Sequence, residues 1–527
     1  MKKILIADPI HDAGKACLAS QNGLEVFEKT GLDEDGLVAI IKDYDGLIVR
    51  SKTKVTARVI EAGHKLKVIG RAGIGTDNID IPEATKRGIV VFNTPDANAT
   101  TTAELAIAHM LSLSRHLPQA DRSVRDNIWK PAQFVGTELA SKTVAVIGFG
   151  TIGRLVAERC AGLKMTVLAY DPFVAPEIVS EFGAQAVSLD KALACADYVT
   201  LHCPLIDATR GLINANTLAK MKPGARLINC ARGGLVVEND LVEALKSQHL
   251  SGAALDVFAK EPPVNSPLLA LDNVVLTPHL GASTQEAQRV VAEKISTCVS
   301  QFLLTGEAEQ AVNLPRISPE QLGKTEPYRR LAFSLGRLIG ALSDGPISEL
   351  VVRRFGKMAE LDGRPIKLEA LIGLLGHRLS ERVNRVNATH LAQLQGISIR
   401  EAKSDDARHF ISLLEISATV EGKTTTVAGT LLGGRHPRLV CIDKFEVEAV
   451  PEGHLLLTRH EDKPGVVGAL GGILGKAGIN ISRMQVGLAN GSNMAMALIG
   501  ISGSLPRAAM QEIEKIEAIQ KVVQIEL

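Results

Sequence analysis

Three short segments in the middle of the chain place an arginine, a carboxylate and an imidazole in rigid glycine- or proline-rich surroundings. They are Ala231-Arg232-Gly233-Gly234, Lys260-Glu261-Pro262-Pro263 and Pro278-His279-Leu280-Gly281. Oxidising an α-hydroxy acid needs a base for the hydroxyl proton and a clamp for the carboxylate. His279 is the candidate base, Glu261 would orient its ring and favour the imidazolium, and Arg232 offers a planar fork to a carboxylate. Each residue alone also fits an ordinary structural role, so the prediction of a catalytic trio depends on their occurring together.

A glycine-rich turn upstream predicts a binding site for a dinucleotide. The strand Thr143–Ile147 is followed by Gly148-Phe149-Gly150-Thr151-Ile152-Gly153, then by a helix, and a later strand ends at Asp171. Gly148 permits a tight turn, Gly150 lets the backbone approach a pyrophosphate, and Gly153 lets the helix pack closely on the strand. Asp171 would accept hydrogen bonds from ribose hydroxyls and repel a 2′-phosphate, so the pattern favours NAD over NADP. The alternative is a structural turn that binds no ligand.

Several cations follow predicted strands of the first hundred residues. Arg50, Lys52 and Arg71 stand at such strand ends, and Lys130, next to the single tryptophan, would add another cation across a subunit contact. In an open parallel sheet these ends face the ligand crevice. Cations gathered near a carboxylate clamp suit a phosphorylated acid better than an unsubstituted one. The alternative, solvated surface charge, is about equally good for any one of these side chains.

Composition excludes several other classes of function. The 527 residues are 46% apolar and carry a formal net charge of +1, so several domains are expected and no global field selects nucleic acid or an anionic membrane. Seven cysteines occur without a Cys-x-x-Cys pair, which favours reduced thiols over a metal or redox site, and Cys230 is expected to be a buried strand residue rather than a nucleophile. No apolar run approaches the roughly 18 residues of a membrane span. We therefore expect a cytoplasmic protein with no metal, no nucleic-acid partner and no membrane contact.

The order of elements predicts an α/β chain of two Rossmann-like doubly wound lobes, followed by an α+β intervening domain and a ferredoxin-like βαββαβ unit. The substrate-binding domain would comprise residues 1–98 and 283–312, the dinucleotide-binding domain residues 99–282, the intervening domain residues 316–450, and the last domain residues 453–527. Helices predicted over Thr101–Leu117 and Thr284–Phe302 would carry the chain between the lobes and leave a cleft there. In the intervening domain a helix is predicted over Leu368–Val386.

The motifs resemble those of a known enzyme family. Gly148–Gly153, Asn229–Gly234, Leu255–Pro263 and Pro278–Ala282 closely resemble the D-isomer-specific 2-hydroxyacid dehydrogenases, over residues 1 to about 312. The resemblance implies that Arg232, Glu261 and His279 are the catalytic residues and that NAD is the cofactor. It implies further that Asp256 contacts the nicotinamide side. Other residues would line the dinucleotide, mostly through their backbone: Thr151, Ile152, Cys203, Cys230 and Ala231.

Three further segments narrow the resemblance to one group within that family. Arg50–Thr56, Arg71–Asn78 and the residues from 316 onward resemble the long, phosphoglycerate-oxidising members of that family. This implies NAD-dependent oxidation of D-3-phosphoglycerate to 3-phosphohydroxypyruvate, the first step of L-serine biosynthesis, in a homotetramer. Two alternatives stay open: another D-2-hydroxyacid dehydrogenase, such as a glyoxylate or 2-ketoglutarate reductase, and an NAD-sensing regulator without turnover.

The C-terminal unit resembles an ACT domain, through His460–Gly468 and Gly478–Ile481. ACT units pair edge to edge and bind amino acids between subunits. By this resemblance His460, Asp462 and Asn480 match positions that hold serine in related domains, which implies L-serine as an allosteric effector. A purely structural, oligomerising role is the alternative, because a βαββαβ unit needs no ligand to fold.

Overall fold

The computed structural model describes residues 1–95, 97–308, 311–315, 319–380, 382–406, 409–489 and 491–527. Its strands form four sheets, each built from a separate stretch of the chain. The first two sheets are parallel, the third is mixed and the fourth is antiparallel. The predicted fold class is confirmed.

The first sheet is parallel, with strands in the order β2-β1-β3-β4-β5, and it is covered on both faces by apolar side chains. Runs such as Gly46–Val49 are buried throughout, as expected for strands in the interior of a parallel sheet. The strands are β1 (Lys2–Ile6), β2 (Leu24–Glu28), β3 (Gly46–Val49), β4 (Val68–Arg71) and β5 (Val90–Phe92). The helices between them are α1 (Asp12–Ala19), α2 (Glu34–Ile40), α3 (Ala57–Ala62) and α4 (Ile81–Lys86).

The second sheet is a seven-stranded parallel sheet in the order β12-β11-β10-β9-β6-β7-β8. The chain order reverses between β9 and β6, and doubly wound sheets bind their ligands at such a switch point. The strands are β6 (Thr143–Ile147), β7 (Thr166–Tyr170), β8 (Gln185–Ala186), β9 (Tyr198–Leu201), β10 (Ala225–Asn229), β11 (Leu250–Leu255) and β12 (Val274–Leu276). The helices are α5 (Ala99–Arg115), α6 (Leu117–Arg125), α7 (Thr151–Gly162), α8 (Pro176–Glu181), α9 (Leu189–Cys195), α10 (Ala215–Lys220) and α11 (Glu238–Lys246).

Two long helices connect the sheets. Helix α5 packs on α7 and on the β10–β12 edge of the second sheet. Helix α12 (Gln285–Thr305) begins where the Thr284 side chain accepts a hydrogen bond from the backbone of Ala287, and it returns to the first sheet. There it lies so close to β4 that a Cβ on Gly70 would come within 2.6 Å of Val299. The chain therefore crosses twice between the two sheets, and the predicted domain boundaries themselves stay a prediction.

The third sheet, in the order β14-β13-β15-β16-β17-β18, supports a pair of packed helices. Helix α14 ends at Arg378, so the helix expected to continue to Val386 is wrong. The backbone of Leu379 is extended at ψ 141°, which ends the helix, and further along the Asn384 side chain accepts hydrogen bonds from the backbone of Val386 and Asn387, which favour a turn there. The helices are α13 (Pro319–Leu342), α14 (Gly363–Arg378) and α15 (Ala388–Leu394); the strands are β13 (Ile347–Gly356), β14 (Ser398–Ser404), β15 (Ser412–Val420), β16 (Lys423–Leu432), β17 (His436–Ile442) and β18 (Phe445–Ala449).

The fourth sheet has the order β20-β21-β19-β22, which is the ferredoxin-like arrangement that the sequence predicts. Its edge strand β20 meets β18 of the third sheet, where a Cβ on Gly487 would overlap the Glu446 carbonyl group. The elements are β19 (His454–Glu461), α16 (Val466–Lys476), β20 (Ile481–Leu488), β21 (Met494–Ile501), α17 (Arg507–Glu514) and β22 (Ile519–Glu526). Within the described ranges, no helix is both long and apolar enough to cross a bilayer.

Candidate active site

A cavity of about 960 Å³ lies between the carboxyl ends of the first and second sheets. Its wall contains Arg50 and Arg71 from the first sheet and Arg232, Glu261 and His279 from the loops of the second. The three predicted catalytic residues and two of the four predicted substrate cations thus share one cavity. Interdomain clefts of this size hold most of a small ligand's surface.

His279 and Glu261 form a direct pair in this cavity. His279 Nδ1 lies 2.8 Å from Glu261 Oε2, while Glu261 Oε1 accepts a hydrogen bond from the backbone of Phe258. This contact commits Nδ1 to the carboxylate and leaves Nε2 as the ring nitrogen for a substrate hydroxyl. Partial burial acts to raise the pKa of Glu261, but its bond and charge interaction with His279, the Phe258 N–H and the charge of Arg232 outweigh burial and lower that pKa. The carboxylate therefore stays charged and favours the imidazolium as a proton arrives.

A buried carboxylate fixes the loop that carries His279, whose backbone adopts the left-handed region at φ 57°. Asp256 is fully buried, and its Oδ1 accepts bonds from the Thr277 hydroxyl at 2.6 Å and the Leu280 backbone at 2.7 Å. Its Oδ2 accepts a bond from the Gly281 backbone at 2.8 Å. One side chain thus ties down both flanks of His279, which holds the strained conformation in place. The nicotinamide contact implied for Asp256 stays a prediction.

Arg232 reaches the cavity from the end of β10 and pairs with an acid of the first lobe. Its Nε lies 2.8 Å from Asp77 Oδ2, and its Nη1 donates to its neighbour's carbonyl, Ala231 O, at 2.7 Å. A Cβ on Gly75 would overlap the guanidinium, so that glycine makes room for it. A Cβ on Gly233 would overlap the Phe258 backbone, so a second glycine lets the arginine segment approach the loop that leads to Glu261. The end of the guanidinium fork remains open to an anion.

Arg71 is a largely buried cation that forms no salt bridge with any residue in the described ranges, although the charges of Asp77 and Asp8 act on it. Burial, followed by the charges of Arg232 and Arg50, lowers the pKa of Arg71 to about 10, so the group still carries its charge at neutral pH. Its Nε is buried without a hydrogen-bond partner, and its Nη1 has a 3.3 Å contact with the Ala72 carbonyl. Arg71 therefore keeps unmet hydrogen-bonding capacity beside two other guanidinium groups, and this arrangement suits a multiply charged anion.

The structure does not bring the other two predicted substrate cations into the cavity wall. Lys52 follows Ser51, which does line the cavity, but the lysine itself points to solvent. Lys130 precedes a short turn at Pro131–Phe134 and is also exposed. For the Arg50–Lys52 loop, the position after a strand end therefore identified a loop that lines the cavity, but it did not show that Lys52 faces away from the cavity.

The glycine-rich turn has the shape that a pyrophosphate requires. Gly148 has φ 95°, and a Cβ there would lie 2.6 Å from the backbone nitrogen of Cys203. A Cβ on Gly150 would meet nothing within 4 Å, so the backbone beside the start of α7 is open on that side. The free N–H groups at a helix start favour an anion. Asp171 accepts hydrogen bonds from the backbone of Phe149 and Phe173, which fixes its carboxylate beside the turn.

The remaining predicted cofactor residues divide into two groups. Ile152, Cys203, Cys230 and Ala231 line the cavity, whereas Thr151 and Gly153 lie in the first turn of helix α7 and are not among its lining residues. Burial, and secondarily the charge of Asp256, raises the pKa of Cys230 above its ordinary range. A buried thiol of raised pKa is a poor nucleophile, which supports the expectation that Cys230 packs rather than reacts. The described residues, which include every motif above, contain no cluster of metal-ligating side chains.

The predicted effector residues lie in the fourth sheet's domain, away from this cavity. His460 is 2% exposed, and its Nδ1 contacts the Thr458 hydroxyl, whereas Asp462 and Asn480 are exposed. Helix α16 separates Asp462 from Asn480 by about 16 Å of helical rise. One small amino acid cannot touch both residues within a single chain.

Sequence reasoning missed several residues that the fold brings to the site. Thr277 and Arg210 carry no motif that distinguishes them from strand or surface residues, and Asp77 lies in the Arg71–Asn78 segment without being singled out as a functional residue. Asp77 and Arg210 line the cavity, and Thr277 binds the Asp256 carboxylate behind it. Asp77 and Thr277 gain their places through contacts with Arg232 and Asp256, which lie 155 and 21 residues away along the chain.

Comparison with known proteins agrees with this geometry. Family models match at residues 107–281 (D-isomer specific 2-hydroxyacid dehydrogenase, NAD binding domain), 324–443 (D-3-phosphoglycerate dehydrogenase intervening domain) and 454–518 (ACT domain). The D-3-phosphoglycerate dehydrogenase of Synechocystis is 42% identical over 100% of this chain and 95% of its own length. That of Archaeoglobus fulgidus is 42% identical over the full length of both chains. The chain belongs to the D-3-phosphoglycerate dehydrogenase family.

Solved structures match the two lobes rather than the whole chain. An NAD-dependent formate dehydrogenase from Staphylococcus aureus, in complex with NAD, is 28% identical, with a TM-score of 0.55 over 60% of this chain and 100% of that one. The D-lactate dehydrogenase of Escherichia coli is 26% identical, with a TM-score of 0.53 over 59% of this chain and 100% of that one. The family's two-lobed dehydrogenase body is therefore shared with enzymes of different names, and the substrate must be argued from the cavity.

Proposed function

We propose that this chain catalyses the NAD-dependent oxidation of D-3-phosphoglycerate to 3-phosphohydroxypyruvate. The observation that carries the proposal is one cavity whose wall combines the His279–Glu261 pair with the guanidinium groups of Arg50, Arg71 and Arg232. A carboxylate and a phosphate together bring about three negative charges at neutral pH. Arg50, Arg71 and Arg232 place positive charge opposite these groups, and although Asp77 pairs with Arg232, a substrate without a phosphate would leave the Arg71 charge unmet.

Each residue has one role in the proposed reaction. Arg232 holds the substrate carboxylate with the open end of its fork, and Arg71 with Arg50 holds the phosphate. His279 Nε2 accepts the proton of the C2 hydroxyl, and Glu261 stabilises the resulting imidazolium. NAD, when bound, supplies the acceptor for the hydride that leaves C2. The open backbone at Gly150 and the nearby Asp171 carboxylate would hold the cofactor's pyrophosphate and adenosine ribose.

A substrate panel tests the proposal. D-3-phosphoglycerate, D-glycerate, D-lactate and D-2-hydroxyglutarate are each offered with NAD and with NADP, and reduction of the cofactor is followed by absorbance. We expect the highest kcat/KM for the phosphorylated acid with NAD. A preference for an unphosphorylated acid would refute the phosphate assignment and support one of the other reductases.

A variant of the proposed base separates catalysis from cofactor sensing. His279→Ala removes the proposed base without touching the glycine-rich turn, so we expect turnover to fall by about 100-fold or more while NAD still binds. NAD affinity is measured by calorimetry in parallel. Turnover equal to the unmodified enzyme would exclude His279 as the base.

The C-terminal domain supports a regulatory role that needs two chains. Asp462 and Asn480 stand at opposite ends of α16, so a site that uses both must combine the first from one chain with the second from its partner. We assign L-serine as the effector and a homotetramer as the assembly. Light scattering gives the assembly mass, and serine titration followed by activity and by calorimetry tests the effector. No response at millimolar serine would leave the domain with a structural role alone.

A further inference from the structure

The helix behind the catalytic loop carries a buried histidine that the proposed reaction does not use. His109 lies in the middle of α5 and is 2% exposed. Its Nε2 is 3.1 Å from the hydroxyl oxygen of Thr277, and its Nδ1 is buried without a hydrogen-bond partner. A leucine would fill this position without leaving a ring nitrogen unbonded, so packing alone does not require a histidine here.

The single proton of the Thr277 hydroxyl determines which atom is the donor in its contact with His109. The Thr277 hydroxyl has one proton, and it donates that proton to Asp256 Oδ1 at 2.6 Å. The Thr277 oxygen must then accept from His109, which makes the ring a neutral imidazole protonated on Nε2. The order of donation is His109 to Thr277 to Asp256, and the same carboxylate accepts from the backbone of Leu280 and Gly281.

This chain of hydrogen bonds ends at Asp256, whose carboxylate holds the loop of the proposed base. Thr277 stands two residues before His279, and its carbonyl accepts a bond from the His279 backbone. On the other flank, Thr102 of the same helix α5 donates to the Gly281 carbonyl at 2.7 Å. Helix α5 therefore contacts the loop on both sides of His279.

We infer that His109 is a positioning residue, which sets the Thr277 hydroxyl on Asp256 and so holds the His279 ring in register with Glu261. Without the Nε2–H donor, the Thr277 hydroxyl is free to rotate away from the carboxylate, and the loop loses one of its three ties. The inference rests on the proposed function only in that His279 is the base. Misplacement of a catalytic group by about 1 Å can reduce the rate by about 100-fold.

Three variants test this role. His109→Leu removes the donor and keeps the volume, His109→Gln keeps an N–H donor at a similar reach, and Ser114→Ala serves as the matched control. Ser114 is on the same helix, equally buried, and bonded to the Tyr198 hydroxyl at 2.7 Å, with no contact to the catalytic loop. We expect kcat to fall about tenfold in His109→Leu, to return within about twofold in His109→Gln, and to stay unchanged in Ser114→Ala. The KM for NAD should stay the same in all three.

Two further measurements keep the inference falsifiable. Thr277→Val removes the middle of the chain, so the double variant with His109→Leu should be no slower than the slower single variant. The rate at which diethyl pyrocarbonate modifies His279, mapped by mass spectrometry, should rise in His109→Leu and not in Ser114→Ala; it is read without turnover, so it stands even if the substrate assignment fails. The role of His109 would be overturned if His109→Leu left kcat and the modification rate unchanged. It would also be overturned if His109→Gln and Ser114→Ala lost as much kcat as His109→Leu.

Discussion

Arg71→Met is the perturbation that most directly tests how the cavity recognises a phosphate. The lowered pKa of Arg71, from 12.5 to about 10, corresponds to about 3 kcal/mol of unfavourable interaction for the charged group in the folded protein. At neutral pH the side chain is charged in both the folded and the unfolded state, so this cost is present in full and would decline only as pH rises above 10. Methionine has similar length and no charge, so the substitution removes this unfavourable interaction.

Part of this gain in stability is offset by a lost hydrogen bond. The variant gives up the 3.3 Å contact between Arg71 Nη1 and the Ala72 carbonyl, which contributes about 1 kcal/mol. We therefore expect the free energy of unfolding to rise by about 1–2 kcal/mol. In contrast, kcat/KM should fall, because a charge-assisted hydrogen bond to a phosphate contributes about 1.5–3 kcal/mol. Two such bonds correspond to a loss of at least about 100-fold in kcat/KM for D-3-phosphoglycerate.

The assay pairs urea unfolding at neutral pH with steady-state kinetics on D-3-phosphoglycerate and on D-glycerate. The unphosphorylated acid should lose far less kcat/KM than the phosphorylated one. Arg58→Met is the matched control, because Arg58 is an exposed arginine paired with Asp35 at 2.7 Å, and its loss should change stability by less than about 0.5 kcal/mol. A destabilised Arg71→Met variant with unchanged selectivity would refute the interpretation of Arg71 as a cation held in readiness for phosphate.

Three other changes have definite expected outcomes. Glu261→Gln keeps the size of the side chain but not the charge that favours the imidazolium, so kcat should fall about 100-fold with NAD affinity unchanged by calorimetry; an active variant would remove Glu261 from the mechanism. Asp171→Asn should raise the NADP-to-NAD ratio of kcat/KM about tenfold, because the repulsion of a 2′-phosphate is gone, and an unchanged ratio in cofactor kinetics would contradict that role. Burial lowers the pKa of His202 to about 4 from 6.5, so its contribution to stability is complete above pH 6.5 and is lost as pH falls toward 4. Between pH 6.5 and pH 4 the free energy of unfolding should therefore fall by up to about 3 kcal/mol less in His202→Gln than in the unmodified protein, as measured by denaturation at several pH values. The same pH dependence in the two proteins would argue against a neutral imidazole held by burial.

Much of the site could be predicted because its residues sit in segments with strong local constraints. The Gly148–Gly153 turn, the strand before it and Asp171 after it occur at spacings that a dinucleotide requires, and the fold keeps them adjacent. The same holds for Arg232, whose neighbour Gly233 permits close backbone approach, and for Glu261, whose proline neighbours restrict the backbone. The local pattern failed over residues 379–386: the helix expected up to Val386 ends at Arg378, where the backbone of Leu379 is extended, and the Asn384 side chain holds a turn after it.

The amino-acid sequence by itself determined the succession of elements, the position of the dinucleotide turn and the identity of the residues able to transfer a proton, because all three depend on near neighbours in the chain. Tertiary structure alone decided which groups support them. The Arg232–Asp77 pair joins residues 155 apart, and the contact between His109 and Thr277 joins residues 168 apart. Such contacts exist only after two sheets and the helices that cross between them have packed, since burial sets both the distances and the cost of leaving a charge or a donor unpaired.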